Sequence, residues 1–294
     1  MLQFPNIDPE VFSIELMGYH LSLRWYALAY IFGFFIALYI MKYFVKKNFL
    51  WRAKVPPMEV EATDRILTYL IFGVILGGRI GYVLFYNLGY YVDHPLDILR
   101  IWDGGMSFHG GFLGVIVAGA IFCYLNSCNI LSAADLISLA TPPGLFLGRL
   151  ANFANAELWG ASTGLPWGVI FPGIRAQDCP GIVGACARHP TQVYEAVLEG
   201  LLLLIILLIM AHKGCLKKPG LISGCFILGY GISRFLVEFF RTPDPQFFTE
   251  DNKLGFAYQW GEYGFTMGQA LSAPMFFCGI ILIIFALLRN RLNH

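Results

Sequence analysis

Residues 148–160 read GRLANFANAELWG and gather Arg149, Asn152, Asn155 and Glu157 into thirteen positions. A guanidinium offers five N–H donors in a planar fork that grips a phosphate or carboxylate in two places. Amides can orient what it holds, and a carboxylate can steady a guanidinium or take a hydroxyl. If 149–157 is helical, Arg149 and Asn152 share a face, with Asn155 three residues further on. Glu157 falls round the cylinder unless Trp159 and Gly160 mark a turn that returns it. The bland alternative is a self-contained polar staple. A second stretch, GYGISRFLVEFFRTPDP (229–245), places Tyr230, Arg234 and Glu238 four residues apart along one helix face. Arg234 can pair with Glu238 while reaching for a ligand. Arg241 stands at the exit, before Pro243, where a helix must stop. The third is MSFHGG (106–111). His109 titrates near neutrality and is the natural proton acceptor in a pocket, and the two glycines after it admit backbone or a ligand closely. Alone, such a histidine is often a hydrogen-bonded filler.

Two deep arginines with separate carboxylates, a histidine and several tyrosines suit an anionic headgroup. HExxH, G-x-S-x-G, a Walker loop and a dinucleotide fingerprint are all absent. No set of histidines and cysteines has metal-ligand spacing, so neither a metal nor a cofactor is implied.

The elements that must position these groups are membrane spans. The 294 residues are 57% hydrophobic and only 13% charged, too few charges to coat a soluble protein, and mean hydropathy is +0.63. A formal net charge of +1 gives no case for nucleic acid. Hydropathy marks seven spans, near 25–45, 66–86, 107–125, 131–148, 193–211, 220–240 and 267–287, each long enough or nearly so to cross about 30 Å of hydrocarbon. Thr141-Pro142-Pro143 interrupts the fourth, predicting a kink or break. The opening MLQFPNIDPEVFSIEL lacks the basic start and apolar core of a cleavable signal.

With the N-terminus outside, the inside segments hold Lys42, Lys46, Lys47, Arg52, Lys54, Arg65, Lys213, Lys217, Lys218, Arg289 and Arg291. The outside segments hold Arg24, Arg100, Arg175, Arg188, Arg241 and Lys253. Basic residues concentrate on the cytoplasmic side, so the N-terminus is expected outside and the C-terminus inside. Arg79, Arg149 and Arg234 remain in the spans or at their ends. At membrane depth each costs about 2.5–3.5 kcal/mol and asks for a reason; for Arg79 the simple ones are snorkelling or an internal ion pair. The chain reads as one integral membrane domain, 1–294. Segment 150–192, rich in Gly, Pro and Trp, is expected to be an ordered outer cap in which Cys179 and Cys186 could pair. Segment 241–266 forms a second outer loop. A weak echo between LGGRIGYVLFYN (76–87) and LGRLANFANAELW (147–159) is too slight to support an inverted-repeat transporter.

The chain resembles the bacterial phosphatidylglycerol–prolipoprotein diacylglyceryl transferases. GRLANFANAELWG matches that family's signature throughout, and RWYALAY (24–30), FHGG (108–111), HPTQVYE (189–195) and YGISRFLVEFFRTPD (230–244) follow in the family's order. The resemblance implies an all-α polytopic enzyme of the bacterial inner membrane with seven transmembrane helices and its active site toward the periplasm. It would move the diacylglyceryl group of phosphatidylglycerol to the lipobox cysteine of a prolipoprotein signal peptide, releasing glycerol 1-phosphate. It also implies leading roles for His109, Arg149 and Arg234, supported by Tyr26, Asn152, Glu157, Gly160, Tyr230 and Glu238. On that reading Glu157 and Glu238 orient the guanidiniums, while Asn152 with Tyr26 or Tyr230 places glycerol oxygens. Membrane lipids surround the chain. A transporter or binding protein for an anionic lipid would also want buried arginines; the titratable His109 and the outward position of the motifs speak for the enzyme.

Overall fold

The computed structural model describes residues 1–16, 19–179, 181–242, 247, 252, 255–261 and 263–291. Pro243, Lys253 and much of the expected 241–266 loop lie outside the described residues. Among the described residues seven helical stretches are long and apolar enough to cross a membrane, and they coincide with the seven expected from hydropathy. Their helices are α1 (Trp25–Val45), α2 (Ala62–Tyr86), α3 (Phe108–Leu125), the pair α4 (Ile130–Ala140) and α5 (Pro142–Ala154), α6 (Thr191–His212), α7 (Leu221–Glu238) and α8 (Met267–Arg291). Large apolar side chains such as Phe35, Phe72 and Phe277 stand exposed on these helices, as lipid permits and water does not.

The chain divides into two compact units, one of residues 1–37 with 138–294 and the other of residues 38–137. In the second, α2 and α3 pack backbone to backbone. Gly73, Gly77 and Gly81 recur every fourth residue on α2 and meet Gly110 and Gly114 of α3. A Cβ on Gly73 would lie 2.5 Å from the Gly114 carbonyl oxygen, and one on Gly81 2.7 Å from Gly110 Cα. Small residues at this spacing let membrane helices approach closely. The glycines after His109 therefore serve helix packing. Ser107 caps the start of α3, its hydroxyl accepting the Gly110 N–H at 3.2 Å. Among the described residues Arg79 meets no carboxylate. Its guanidinium donates to the backbone carbonyls of Asp97 (2.5 Å), Ile98 (2.8 Å) and Gly104 (2.6 Å). It thereby pins the 95–105 loop, whose turn uses φ of +83° at Gly104 and +77° at Gly105.

In the first unit the expected interruption appears between Ala140 and Pro142. Pro142 and Pro143 then sit in the first turn of α5, where a missing N–H costs nothing. Helix α6 carries a π-helical stretch, Ala196–Leu202. Its Gly200 lies against Phe146 of α5, where a Cβ would come within 2.5 Å of the Phe146 Cβ. Helices α7 and α8 cross at Gly224 and Gly279 in the same manner.

The chain is mostly helical, as expected of a polytopic membrane protein, and among the described residues it also carries three two-stranded sheets that the all-α expectation did not include. Strands β2 (Glu10–Leu16) and β3 (Tyr19–Arg24) form a hairpin that runs straight into α1. Its register sets Phe12 opposite Leu23 and Ile14 opposite Leu21 on one face, with Ser13–Ser22 and Glu15–His20 on the other. Strand β1 (Leu2–Gln3) pairs in parallel with β4 (Val169–Ile170) in the 150–192 segment. Strands β5 (Tyr258–Trp260) and β6 (Tyr263–Phe265) precede α8. Phe4, Phe153 and Phe171 pack their rings at 5.4–5.8 Å, and Cys179 and Cys186 form a disulfide with Cα atoms 6.3 Å apart. Buried Arg188 stacks 4.0 Å over Trp159 and donates to the carbonyls of Ala176 (2.6 Å) and Asp178 (2.7 Å).

Candidate functional site

The first unit gathers charge where apolar helices would not be expected to hold it. Glu195, near the start of α6, is wholly inaccessible to solvent and stands between three guanidiniums. Its Oε2 lies 3.2 Å from Arg149 Nη1 of α5. Its Oε1 lies 3.1 Å from Arg234 Nη1 of α7 and 3.1 Å from Arg241 Nη1 just beyond that helix. One turn deeper on α6, Glu199 Oε2 reaches Arg149 Nη2 at 3.4 Å. Glu238 Oε2 meets Arg234 Nη2 at 3.0 Å and Arg241 Nε at 3.6 Å, while its Oε1 accepts the Thr266 hydroxyl at 3.1 Å. Gly268, at the start of α8, has no Cβ because the Glu238 carboxyl fills that place.

Three arginines thus carry three carboxylates, and the network is formally neutral. That arrangement makes buried charge tolerable, since each ion is paired and hydrogen-bonded. Arg149 and Arg234 remain about one-fifth exposed, and each still has N–H donors uncommitted to a carboxylate. They can take an anion without first being deprived of all support. Tyr230, one turn before Arg234, is partly buried and within electrostatic range of both arginines and of Glu195 and Glu199.

A second polar cluster adjoins the first through α5. The helix ends at Ala154, and left-handed residues Ala156 (φ 53°) and Leu158 (φ 57°) turn the chain back. The Glu157 N–H then bonds the Asn152 carbonyl at 3.1 Å. This is the returning turn that the spacing required for Glu157 to rejoin Asn152, though it sits before Trp159 and Gly160. Glu157 Oε1 accepts from the Tyr26 hydroxyl, from Asn152 Nδ2 at 3.5 Å and from Asn155 Nδ2 at 3.4 Å; Asn152 Nδ2 also donates to the Tyr26 oxygen. Burial pushes the Glu157 carboxyl up, while donors on its oxygen favour the ionised form. Glu157 therefore holds Tyr26 and two amides; the expected guanidinium partner is not found among the described residues. Gly160 is where the cap closes on the helices. Its N–H bonds the His189 carbonyl at 2.8 Å, and a side chain there would collide with the Phe240 carbonyl and with Thr191.

His109 belongs to the other unit, in the first turn of α3, exposed and with the Phe108 ring centroid 5.7 Å away. The structure thus brings Arg149, Arg234 and Glu238 into one network and Tyr26, Asn152 and Glu157 into another. Three residues escaped the sequence reading. Glu195 closes the HPTQVYE motif but carries no assigned role there, Glu199 lies in a run that reads only as a span, and Arg241 reads only as a residue of the helix exit. Their signal was available: two carboxylates four apart within a crossing segment are costly without partners. Among the described residues no three His, Cys, Asp or Glu side chains come together so as to hold a metal ion.

Residues 12–285 match the family model described as prolipoprotein diacylglyceryl transferase. A phosphatidylglycerol–prolipoprotein diacylglyceryl transferase of Cereibacter sphaeroides is 57% identical over 284 residues, covering 96% of this chain and 97% of its own. The protein of the same name from Ruegeria pomeroyi is 55% identical over 97% of each chain. That of Bradyrhizobium diazoefficiens is 46% identical over 99% of this chain and 95% of its own.

Proposed function

The chain belongs to the prolipoprotein diacylglyceryl transferase family, and from that premise we propose how its residues do the work. The reaction moves the diacylglyceryl group of phosphatidylglycerol to the thiol of a lipobox cysteine in a prolipoprotein signal peptide. Sulfur attacks the glycerol carbon that carries the phosphate. A carbon–sulfur bond forms, the carbon–oxygen bond breaks, and its electron pair leaves with glycerol 1-phosphate.

Charge grows on the phosphate as that bond breaks. Arg149 and Arg234 hold the phosphodiester in the ground state and meet the added charge in the transition state. Only the second effect accelerates the step. Arg241 and Glu238 complete the cradle. Tyr26, Asn152 and Glu157 fix glycerol oxygens, Tyr230 lines the guanidiniums, and Gly160 lets the cap close over them. A cysteine thiol is only a few per cent thiolate at neutral pH, and His109 takes its proton. The excess of basic residues in the alternate loops supports an N-terminus and cap on the outside, with the site facing the periplasm of a bacterial inner membrane.

The observation that carries this reading is the sharing of one buried carboxylate, Glu195, by Arg149 and Arg234. It aligns two guanidiniums from different helices on one small volume. The test is thioether formation on a lipobox peptide in detergent with phosphatidylglycerol. Parent protein should transfer, and Arg149→Lys should lose roughly a hundredfold or more in rate, as for removal of one oxyanion donor. Loss in His109→Gln that rises back with pH supports the base; a pH-independent loss assigns His109 to positioning. Folded parent protein that binds phosphatidylglycerol without any transfer refutes the transferase and leaves a lipid-binding or transport protein.

A further inference from the structure

Two neutral oxygens beside the anion site have no donor. Asn155 Oδ1 and Gln192 Oε1 are both buried without a hydrogen-bond partner among the described residues, and the whole Gln192 side chain is inaccessible to solvent. Carboxylate oxygens of Glu195, Glu199 and Glu238 also lack a formal hydrogen bond, but each of those groups is ion-paired to arginine. The two amide oxygens have no such relief. A buried acceptor left unpaired costs about 1–3 kcal/mol, so the pair is primed for an incoming donor.

Their orientation is set by Glu157. Asn155 Nδ2 donates to Glu157 Oε1 at 3.4 Å, and Gln192 Nε2 donates to the Glu157 backbone carbonyl at 2.5 Å. With each NH2 so engaged, each oxygen is held away from Glu157. Their place along the helices matters too. Gln192 precedes Glu195 by three residues on α6, and Asn155 follows Arg149 by six at the end of α5. Both lie on the cap side of the guanidiniums.

A phosphodiester seated on Arg149 and Arg234 must send its acyl-bearing arm into lipid. Its other arm is then free to turn toward the cap, the side on which Asn155 and Gln192 stand. We propose that Asn155 and Gln192 accept hydrogen bonds from the hydroxyls of the lipid donor's polyol headgroup, making the site selective for a hydroxyl-bearing phosphodiester. This rests on the transferase reading above and adds the origin of its headgroup preference. A site built to satisfy hydroxyls rejects an analogue without them, because its own acceptors are then left unpaired.

The test compares phosphatidylglycerol with phosphatidylpropanol of identical acyl chains, whose headgroup has three carbons and no hydroxyl. Thioether formation is measured for the parent, Gln192→Met and Asn155→Leu. The parent should favour phosphatidylglycerol in kcat/KM by roughly tenfold to a hundredfold. In each variant that ratio should fall toward one, whatever the absolute rate. A parent indifferent to the hydroxyls overturns the inference, because the two oxygens are then satisfied by water alone. Variants that slow both lipids alike and keep the ratio overturn it as well, showing a merely structural role. Where one variant does not fold, the other variant and the parent's ratio still decide. Absence of transfer from either lipid refutes the transferase reading itself.

Discussion

Replacing Glu195 by Gln separates geometry from charge at the anion site. The amide has nearly the volume of the carboxylate, so packing is spared while the shared anion disappears. Every guanidinium keeps one carboxylate: Arg149 keeps Glu199 at 3.4 Å, Arg234 keeps Glu238 at 3.0 Å, and Arg241 keeps Glu238 at 3.6 Å. Breaking a buried pair by removing one partner costs about 3–5 kcal/mol. The glutamine oxygen still accepts from one guanidinium, and the partners just named remain. The low end, about 3 kcal/mol, is therefore expected, read as a melting temperature lowered by several degrees in detergent. The formal charge of the network rises from zero to plus one, so phosphodiester affinity should hold or improve. Turnover should not survive. Arg149 and Arg234 lose their common anchor, and misplacement on the scale of an ångström costs on the order of a hundredfold. Initial rates at varied mole fraction of phosphatidylglycerol should show kcat down by about that factor with KM unchanged or lower. A raised KM with kcat intact would refute the reasoning, since Glu195 would then support binding without aligning the arginines for reaction. A variant with the melting temperature and rate of the parent would refute it more simply.

Other outcomes follow from other parts of the molecule. Burial pushes the His189 imidazole down, so the folded chain binds fewer protons there than the unfolded chain. That stability is present above the unfolded value of about 6.5 and is lost as pH falls through it toward the lower folded one; His189→Gln should flatten the acid side of a melting-temperature–pH profile. The Cys179–Cys186 disulfide closes a short loop, seven residues apart in sequence. Loop-closure entropy gives it about 2.5 kcal/mol, so Cys179→Ser should quicken proteolysis within 173–184 more than elsewhere. A methyl on Gly114 would collide with the Gly73 carbonyl, backbone against backbone, whereas a Cβ on Gly89 meets nothing within 4 Å. Gly114→Ala should therefore cost roughly 1–3 kcal/mol, with Gly89→Ala as the neutral control in the same thermal-shift assay.

The spans were legible because hydropathy depends on composition over many residues, and even the Thr141–Pro143 interruption announces itself by chemistry. Arg149, Asn152 and Glu157 were legible because polar residues crowd a short stretch. Their partners were less so. Glu157 was expected to meet arginine, since carboxylate and guanidinium are natural partners, but the left-handed residues Ala156 and Leu158 aim it at Tyr26. Neither residue type advertises that conformation. Glu195 shows only as the end of the HPTQVYE motif, and Glu199 vanishes into a segment whose mean hydropathy is 2.4; averaging hides their pairing with arginine. Arg79 resisted for a different reason. Its acceptors are backbone carbonyls of a loop, and every residue has a carbonyl. The β2–β3 hairpin alternates apolar and polar residues, but the same opening stretch was weighed only as a leader.

The ion-paired network also bears on how the chain is made. Its charges are dealt out over three successive spans, Arg149 to the fourth, Glu195 and Glu199 to the fifth, Arg234 and Glu238 to the sixth, with Arg241 just beyond it. As each segment leaves the ribosome, its charges have no partner from the spans still to come, and each carries an insertion penalty, at most the roughly 2.5–3.5 kcal/mol of an Arg or Asp at a helix centre. Arg149 waits for the fifth span. Glu195 gains its second cation only when the sixth arrives. The partners are thus consecutive in synthesis, and every pairing can form as soon as the next helix emerges. Biogenesis would tolerate a delay between the fourth and fifth spans poorly, and a circular permutation that divided them should lower the yield of inserted protein before it altered any property of the finished site.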